Sequence, residues 1–582
     1  MSLEVTKTKS LQPSITDDNK LPTGVQTPAT MDNPEPTLTG EPPVASEQVP
    51  PPPVPSAGGL QFWLIFIALM VSTFLSAIDL TSVSTALPTI VQDLNGTEFA
   101  WVGSSFALGS TAVLPLIGGL AQIFGRRPVV IGSLVFFALG SGLCGGAKSM
   151  AMLIGGRTIQ GIGGGGILAM TEIVVADLVP LRQRGTYMGV IGAVWAIASA
   201  IGPPIGGAFS QSNWRWLFYM NLPLTAIAMV LVWFFLHLKM PQDDLRSKMR
   251  RMDWIGNLFI IIGTTITVVA LTWAGVQHPW SSYQVLVPLI LGLLCIVAFF
   301  IYEAKVPIEP VVPWELVSNR TSFFGYMTVF LHGIVSTVII YYLPVYFQGT
   351  KMQGPVKSGV SLFGNAFTIA PGAIACGATV AIFNIYRPQN FVGWLLTTVG
   401  VGLLALLKVE TSTAKWVGFQ LVEGVGLGIL YAAPTFPVLA PLPVTETAHA
   451  LALFTFVRSY SQTWGVTIGA TILQNELKKK LPEAFLAMFP AEGVEITYAA
   501  IPQIPGLPEP IRYEVRAAFA DSLKVIWLTM VGVSALGLLC VLGMKELKMH
   551  ETTDEDWGMK ERKEKQKDVE KDSEEKTPAT SS

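Results

Sequence analysis

The chain has 582 residues, of which 51% are hydrophobic and only 13% are charged, and its formal net charge at pH 7 is -2. Soluble domains carry roughly 25% charged residues, so this composition excludes a chain of several water-exposed domains. The near-neutral charge, with no basic face, argues against a nucleic-acid partner. The four cysteines are widely spaced within apolar runs, which excludes a zinc cluster and argues against a disulfide framework.

Both ends of the chain differ in composition from its centre. Residues 1–58 are rich in proline, serine, threonine and acidic residues, and such a segment cannot bury enough surface to order itself. We therefore predict a disordered N-terminal tail, without the basic start and apolar run of a cleavable signal peptide. Residues 546–582 are highly charged, which predicts a second, solvated tail.

Between the tails, fourteen apolar stretches are long enough to cross about 30 Å of hydrocarbon as helices. They lack the alternation of barrel strands, and a helix satisfies its own backbone hydrogen bonds in lipid. The sequence therefore predicts an all-α membrane protein with fourteen transmembrane helices. The predicted spans are residues 61–84, 101–121, 128–147, 152–176, 187–208, 216–237, 254–275, 285–303, 322–347, 359–383, 391–407, 416–440, 449–474 and 524–544.

The basic residues of the loops predict the orientation. With the N-terminus inside, the inner loops hold twelve Lys and Arg residues and the short outer loops hold six. Because Lys and Arg favour cytoplasmic loops, both tails are predicted to be cytoplasmic. The first outer loop then contains the sequon Asn95-Gly96-Thr97, so Asn95 is a candidate glycosylation site.

Two helix ends share a sequence pattern. Residues 118–128 close the second predicted helix and residues 377–388 close the tenth, and both run from glycine through phenylalanine to an Arg-Pro pair. Duplicated halves around a central site are the architecture of many secondary transporters. The match is short enough to be chance, which is the alternative interpretation.

A few ionisable residues lie within the predicted helices. A charge at the centre of a bilayer costs about 2.5–3.5 kcal/mol or more, so it faces protein or water and marks function. Asp79, Arg157, Glu423 and Arg458 are the candidates, and the alternative is that each is a structural contact between helices. Glu423 lies deep enough to suit reversible protonation. Glu172 lies nearer the cytoplasmic end of its helix and is interpreted as interfacial.

Glycine-rich runs carry no cofactor signal. The run from Gly161 to Gly166 fits the dinucleotide pattern GxGxxG, but it lies inside an apolar helix, which favours helix packing. Residues 142–149 miss the phosphate-binding pattern at Ala147. We therefore predict no cofactor and no metal. The proline-containing run 202–207 indicates a flexible joint or a tight gasket, with a plain kink as the alternative.

Taken together, these motifs resemble the major facilitator superfamily (MFS), and within it the fourteen-span drug:H+ antiporter family common in fungi. The resemblance covers residues 61–545. The matching motifs, in family order, are residues 79–90 in the first helix, 118–128 in loop 2–3, 157–163 in the fourth helix, 192–207 in the fifth, 214–223 and 341–348.

The resemblance implies an MFS fold of two six-helix bundles. These would be an N-terminal bundle over residues 59–238 and a C-terminal bundle over residues 321–545. A linker over residues 239–320 would hold two additional transmembrane helices. Residues 1–58 and 546–582 would be the cytoplasmic tails.

The family also implies roles for individual residues in proton-driven export by alternating access. Arg157 matches the family's proton-coupling arginine, and Asp79 matches its first-helix aspartate. Glu423 matches no motif, so the role expected for it depends on its burial alone. Gln122 stands where the family has an aspartate, which puts a charge-based latch through that residue in doubt. Two further sets of residues match family motifs. They are the gasket of Gly202, Pro203, Gly206 and Gly207, and the inner-loop latch of Gly118, Gly125, Arg126 and Arg127.

Aromatic side chains in the helices are candidates for lining a substrate cavity, because aromatic faces bind flat apolar or cationic ligands. Packing between helices is the alternative for each of them. The candidates, with one arginine, are Trp195, Phe330, Tyr341, Tyr342, Tyr431, Phe456 and Arg458.

We therefore expect a monomeric, multi-pass transporter of the cell membrane, not an enzyme, that exports drugs or secondary metabolites in exchange for protons. Its partners would be a small amphipathic substrate, protons and the lipid bilayer. The alternative is a proton-coupled nutrient or basic amino-acid transporter of the plasma or vacuolar membrane. A non-transporting sensor would need a regulatory domain, which neither tail resembles.

Overall fold

The computed structural model describes residues 59–94, 99–238, 252–275, 278–307, 310–486 and 500–550. Each predicted apolar stretch falls on helical structure. The fourteen long helices, numbered in chain order, are α1 Leu60–Asp93, α2 Phe99–Phe124, α3 Arg126–Gly145, α4 Met150–Leu178, α5 Leu181–Ser212, α6 Asn221–Phe235, α7 Trp254–Trp273, α8 Tyr283–Glu303, α9 Arg320–Val345, α10 Phe363–Phe383, α11 Arg387–Leu404, α12 Thr413–Ala432, α13 Thr447–Lys480 and α14 Ile511–Gly543.

Within the described ranges, twelve helices are long and apolar enough to cross a membrane. The all-α membrane class is thereby confirmed, whereas the count of fourteen spans is not. The two shortfalls are α11, whose 18 residues begin with the polar Arg387, Gln389 and Asn390, and α13, which contains Arg458 and a basic last turn. The predicted N-terminal tail, Asn95 and residues 551–582 lie outside the described residues.

In the first half of the chain, α4 packs against both α2 and α3. Its glycines make this possible: a Cβ atom added at Gly161 would lie 2.2 Å from the carbonyl oxygen of Phe106 in α2. At Gly163 it would lie 2.3 Å from the backbone nitrogen of Phe137 in α3. The glycine run thus lets three backbones approach closely, and α1 and α5 pack together beside it.

The second half repeats this arrangement. Helix α12 packs against α10 and α11, while α9 packs against α13 and α14. A Cβ atom added at Gly428 would lie 2.1 Å from the carbonyl oxygen of Ile369 in α10, and one at Gly426 would lie 2.6 Å from the backbone nitrogen of Thr397 in α11. A glycine-rich central helix therefore organises each half.

Two helix pairs, α2 with α13 and α5 with α10, form most of the interface between the halves, and α4 with α13 adds to it. A Cβ atom added at Gly118 would lie 2.7 Å from Cβ of Ala452, and one added at Gly377 would lie 2.1 Å from the backbone of Gly185. Both glycines open the two repeated sequence patterns. The repeat therefore marks the two places where the halves meet at the end predicted to be cytoplasmic.

Helices α7 and α8 pack on each other, and α7 also contacts helices of both halves. Near one end, Met252 lies over Gly119 of α2. Near the other end, Trp280 donates a hydrogen bond to the Thr471 hydroxyl of α13 at 2.9 Å, and the Thr467 hydroxyl donates to the carbonyl of Leu271 at 3.2 Å. The pair therefore contacts the first half at one membrane face and the second half at the other.

Candidate functional site

Asp79 of α1 and Arg157 of α4 form an ion pair inside the first half. Arg157 Nη1 lies 2.5 Å from Asp79 Oδ2, and the two side chains are 0% and 1% exposed for Asp79 and Arg157 respectively. The guanidinium also donates to Gln160 Oε1 at 2.7 Å and, through Nε, to the carbonyl of Val102 at 3.1 Å. The structure thus brings together two residues that the sequence singled out.

Neutral side chains complete this cluster. Asp79 Oδ1 accepts hydrogen bonds from Gln160 Nε2 at 2.9 Å and from Asn221 Nδ2 at 2.8 Å. Gln160 Nε2 also donates to Ser141 at 2.8 Å. Both carboxylate oxygens therefore have donors, which is the condition for keeping a buried ion pair stable.

The central helix of the second half carries the same sequence pattern. Residues 157–163 read Arg-x-x-Gln-Gly-x-Gly and residues 420–426 read Gln-x-x-Glu-Gly-x-Gly. Gln160 lies ten residues after the start of α4, and Glu423 lies ten residues after the start of α12. Glu423 therefore occupies the position in its half that Gln160 occupies beside the first ion pair.

Glu423 is buried, and no described residue forms an ion pair with it. Its side chain is 0% exposed, Oε2 accepts a hydrogen bond from Asn365 Nδ2, and Oε1 has no hydrogen-bond partner among the described residues. Gln420 Nε2 donates to the carbonyl of Ser361 at 3.0 Å, and Gln420 Oε1 accepts from the backbone of Asn365 at 3.3 Å. This second polar cluster lies within one half, as the first one does.

A second ion pair crosses between the halves. Arg458 Nη1 of α13 lies 3.1 Å from Glu172 Oε1 of α4, and both side chains are 14% exposed. Glu172 Oε2 accepts from the Thr455 hydroxyl at 2.9 Å. The guanidinium lies 4.7 Å from the ring centre of Tyr431 and 4.4 Å from that of Phe454. Glu172 therefore faces the other half at depth, rather than the membrane interface to which its sequence position pointed.

The latch arginines make their contacts within the first half. Arg126 Nε lies 2.8 Å from Asp177 Oδ2, with both side chains at most 5% exposed. Arg127 Nη2 donates to the carbonyl of Trp233 at 2.7 Å, and its guanidinium lies 4.5 Å from the ring of that tryptophan. Gly125 has a φ of 88°, which favours glycine at this turn. These residues hold α2, α3, α4 and α6 together.

The link across the halves at this end passes through Gln122 instead. Its Nε2 donates to the carbonyl of Thr445 at 3.1 Å and lies 3.4 Å from His449 Nδ1. Glu446, the residue that precedes α13, lies 3.0 Å from the same His449 nitrogen. The hydrogen bond and charge of His449 lower the pKa of Glu446. A negative charge is favourable near the N-terminus of a helix. At the start of α13 this charge comes from Glu446, since the side chain of Gln122 is uncharged.

The candidate gasket contacts different partners along its length. A Cβ atom added at Gly202 would lie 2.0 Å from the Thr81 hydroxyl of α1, so this glycine packs within the first half. Gly206 is buried. A Cβ atom added at Gly207 would lie 3.8 Å from Val356 in the second half. The side chain of Pro203 lies outside the described residues.

The aromatic candidates differ in burial. Tyr341 is 44% exposed, so its side chain is not enclosed by the packing between helices. Tyr342 is buried and donates to the carbonyl of Val466 at 2.7 Å, which assigns it to packing. Phe456 is buried and stacks on Tyr460, with ring centres 5.6 Å apart. The others, Trp195, Phe330 and Tyr431, are half-buried at the edges of apolar clusters.

Sequence reasoning missed the neutral members of both clusters. Gln160, Asn221 and Asn365 carry no charge, and neutral polar residues are too common in such helices to stand out. One signal could have found two of the missed residues, Gln160 and Gln420: the pattern shared by residues 157–163 and 420–426. This pattern aligns Gln160 with Glu423 and Gln420 with Arg157, each a charged candidate of the other half.

Comparison with known proteins agrees with this architecture. The Major Facilitator Superfamily profile matches residues 69–466. The chain is 41% identical over 522 residues to "Efflux pump FUS6" of Gibberella fujikuroi, covering 88% of this chain and 94% of that one. It is 40% identical over 531 residues to "MFS-type efflux pump LUC4" of a Fusarium species, covering 89% and 94%.

Among solved structures, the human organic anion transporter MFSD10 has a similar fold. The TM-score is 0.51 at 14% sequence identity, and the match covers 83% of this chain and 100% of that one. At this identity the likeness concerns the fold alone. The apolar helices and the profile match make the protein a multi-pass membrane protein. The chain therefore belongs to the Major Facilitator Superfamily and is a membrane transporter rather than an enzyme.

Proposed function

We propose that this protein is a proton-coupled efflux transporter for amphipathic secondary metabolites or drugs, and that it works by alternating access. The names of its relatives, at 41% and 40% identity over most of the chain, support the direction of transport. The observation that carries proton coupling is the buried pair of Asp79 and Arg157, in which both carboxylate oxygens accept hydrogen bonds.

The coupling works because the proton and the conformation act on the same cluster. Protonation of Asp79 cancels its attraction to Arg157, and the two conformations of the transporter differ in how well they accommodate that change. A ligand, here the proton, shifts a conformational equilibrium only by its difference in affinity for the two states. Binding of a proton and release of substrate are then linked reciprocally.

Glu423 is the second proton site in this proposal. It lies at the repeat-related position in α12, fully buried, with Asn365 as a neutral donor and one oxygen unpartnered. A carboxyl group in such a place carries no counter-ion when it ionises, and isolated buried charge is costly. Its protonation state therefore has to change together with its surroundings, which is what a transport cycle provides.

The proposed architecture has fourteen crossings. Helices α1–α6 within residues 59–238 and α9–α14 within residues 321–545 are the two six-helix bundles, and α7 and α8 in residues 239–320 are the additional pair. α11 and α13 complete the second bundle because α11 packs with α12 and α14, and α13 packs with α9. We place the protein in the cell membrane as a monomer, with substrate held between the bundles.

The test is efflux of rhodamine 6G from cells that lack their own pumps, with and without a protonophore. We expect the protein to lower rhodamine accumulation and the protonophore to abolish this effect. R157A and E423Q should abolish efflux when it is expressed per molecule of protein in the membrane, while E476Q, which changes a glutamate ion-paired to surface lysines, should not. Efflux that survives collapse of the proton gradient would overturn proton coupling, and uptake of rhodamine would overturn export.

A further inference from the structure

We propose that Glu172 and Arg458 form an interdomain gate: their ion pair holds the two halves together and has to break before the transporter opens to the cytoplasm. This inference rests on the alternating-access function proposed above. The gate gives a role to Glu172, which lies outside the family motifs identified in this sequence.

The pair stands out among the contacts between the halves. Of the ion pairs between described residues, it is the one that joins the two halves, since all the others lie within one half. The neighbouring links between the halves include hydrogen bonds, such as the one between the hydroxyls of Thr111 and Ser459 at 2.5 Å. Glu172 also accepts from Thr455, so both carboxylate oxygens are bound to α13.

Its depth fits a gate above the cytoplasmic seal. Glu172 lies six residues before the end of α4, and Arg458 lies eleven residues after the start of α13. At 1.5 Å per residue these positions are about 9 and 16 Å from the helix ends. The seam formed by Gln122 with Thr445 lies below them. Opening the cytoplasmic side separates α4 from α13 and pulls this pair apart.

The structure also provides for the arginine charge after the pair breaks. The guanidinium of Arg458 remains over the rings of Tyr431 and Phe454 and keeps its bond to the Tyr431 carbonyl, all within the second half. The charge of Arg458 therefore keeps partners, and this lowers the penalty that separating a buried pair otherwise carries.

The bond itself is of a kind that can open. Arg458 contacts Glu172 through Nη1 alone, its Nε has no hydrogen-bond partner among the described residues, and both side chains are partly exposed. A bidentate, sealed pair would hold more strongly. A single contact with partial access to water is suited to repeated breaking and re-forming.

The experiment measures opening directly, without substrate or proton gradient. A thiol is introduced by A448C, because Ala448 is buried at the seam, 3% exposed, with its carbonyl beside Gly118. The purified full-length chain in nanodiscs is labelled with N-ethylmaleimide, and the rate for the chain without A448C is subtracted. We expect E172Q and R458Q each to raise the labelling rate about fivefold or more, the size of a typical coupling between sites.

Two controls separate attraction from general damage. The charge swap E172R with R458E should return labelling toward the rate of the A448C chain alone, which misfolding would not do. D93N removes a 3.0 Å ion pair with Arg215 that lies within the first half, and it should leave the rate unchanged. Labelling of E172Q and R458Q at the unaltered rate, or a swap that labels as fast as the single variants, would overturn the gate.

The gate and the proposed function fail in different ways. Labelling that responds to E172Q in a chain that exports no rhodamine 6G would support the gate and refute export. Export of rhodamine 6G, combined with a labelling rate that E172Q does not change, would support export and refute the gate.

Discussion

Two interhelical ion pairs of this transporter, Asp79–Arg157 and Glu172–Arg458, use the same chemistry in different places. Asp79 and Arg157 lie within one half, at most 1% exposed, and three other residues, Val102, Gln160 and Asn221, bind them. Glu172 and Arg458 lie between the halves and are 14% exposed, with one direct contact. The sealed pair is part of the packing of a rigid bundle, whereas the second pair joins two bodies that have to separate in the proposed cycle.

The energetic consequence follows from burial. Removing one partner of a fully buried pair leaves an uncompensated charge and costs about 3–5 kcal/mol, while exposed pairs contribute about 0–1 kcal/mol. For the Glu172–Arg458 pair, the cost of removing one partner should lie between these two values. Mutations at the two sites should therefore differ in what they damage: stability at the first and conformational preference at the second.

The largest effect should come from D79N. It leaves Arg157 charged and buried without a counter-charge, so we expect the free energy of unfolding to fall by about 3–5 kcal/mol. Denaturant titration in detergent measures this loss. E172Q serves as the comparison and should lose much less, because Arg458 keeps its aromatic neighbours. Equal losses for D79N and E172Q would remove the distinction between the two pairs.

A smaller effect should separate R157K from R458K. Lysine keeps the charge but lacks the planar fork, and Arg157 uses that fork for Asp79, Gln160 and the carbonyl of Val102. Each lost hydrogen bond to a charged group contributes about 1.5–3 kcal/mol, so R157K should unfold well before R458K. Thermal unfolding of both variants in one detergent is the measurement, and a lower midpoint for R458K would contradict the prediction.

E423Q extends the comparison to a carboxyl group that has no cation. Because Glu423 lacks an ionic partner, its neutral amide should change the free energy of unfolding by no more than about 1 kcal/mol, the value of one ordinary hydrogen bond. Denaturant titration measures the stability change, and rhodamine efflux should nevertheless be lost. A strongly destabilised E423Q would mean that the residue is a structural contact.

The smallest effect should be that of E446Q at the cytoplasmic seam. The folded-state pKa of Glu446 is lowered by His449, so its contribution is present above the ordinary glutamate pKa of about 4.3 and is lost as the pH falls through the lowered value. At pH 7 we expect E446Q to lose about 0.2–1 kcal/mol. Unfolding of both chains is measured at pH 7 and at a pH below the lowered pKa of Glu446, where no difference between the two chains should remain. A difference that persists there would rule out ionisation as the cause.

The sequence predicted the helices well because apolar length and turn residues are local signals. It also identified Asp79, Arg157 and Glu423, since charges are rare in such helices. It did not pair Glu172 with Arg458, because the distance along α4 indicates depth but not which helix of the other half crosses there. Tyr342 was expected in the cavity and lies in the packing, because the side a residue faces depends on how its helix is rotated.

The glycine seams of α4 have a consequence for how force passes through the first half. At Gly161 and Gly163 the backbone of α4 lies directly against those of α2 and α3, so α4 cannot turn about its own axis there without steric overlap. A displacement imposed at Glu172, near one end, therefore has to move the helix as a unit, together with Arg157, about 22 Å away at 1.5 Å per residue. The helix acts as a stiff rod that connects the seam between the halves to the buried carboxylate of Asp79.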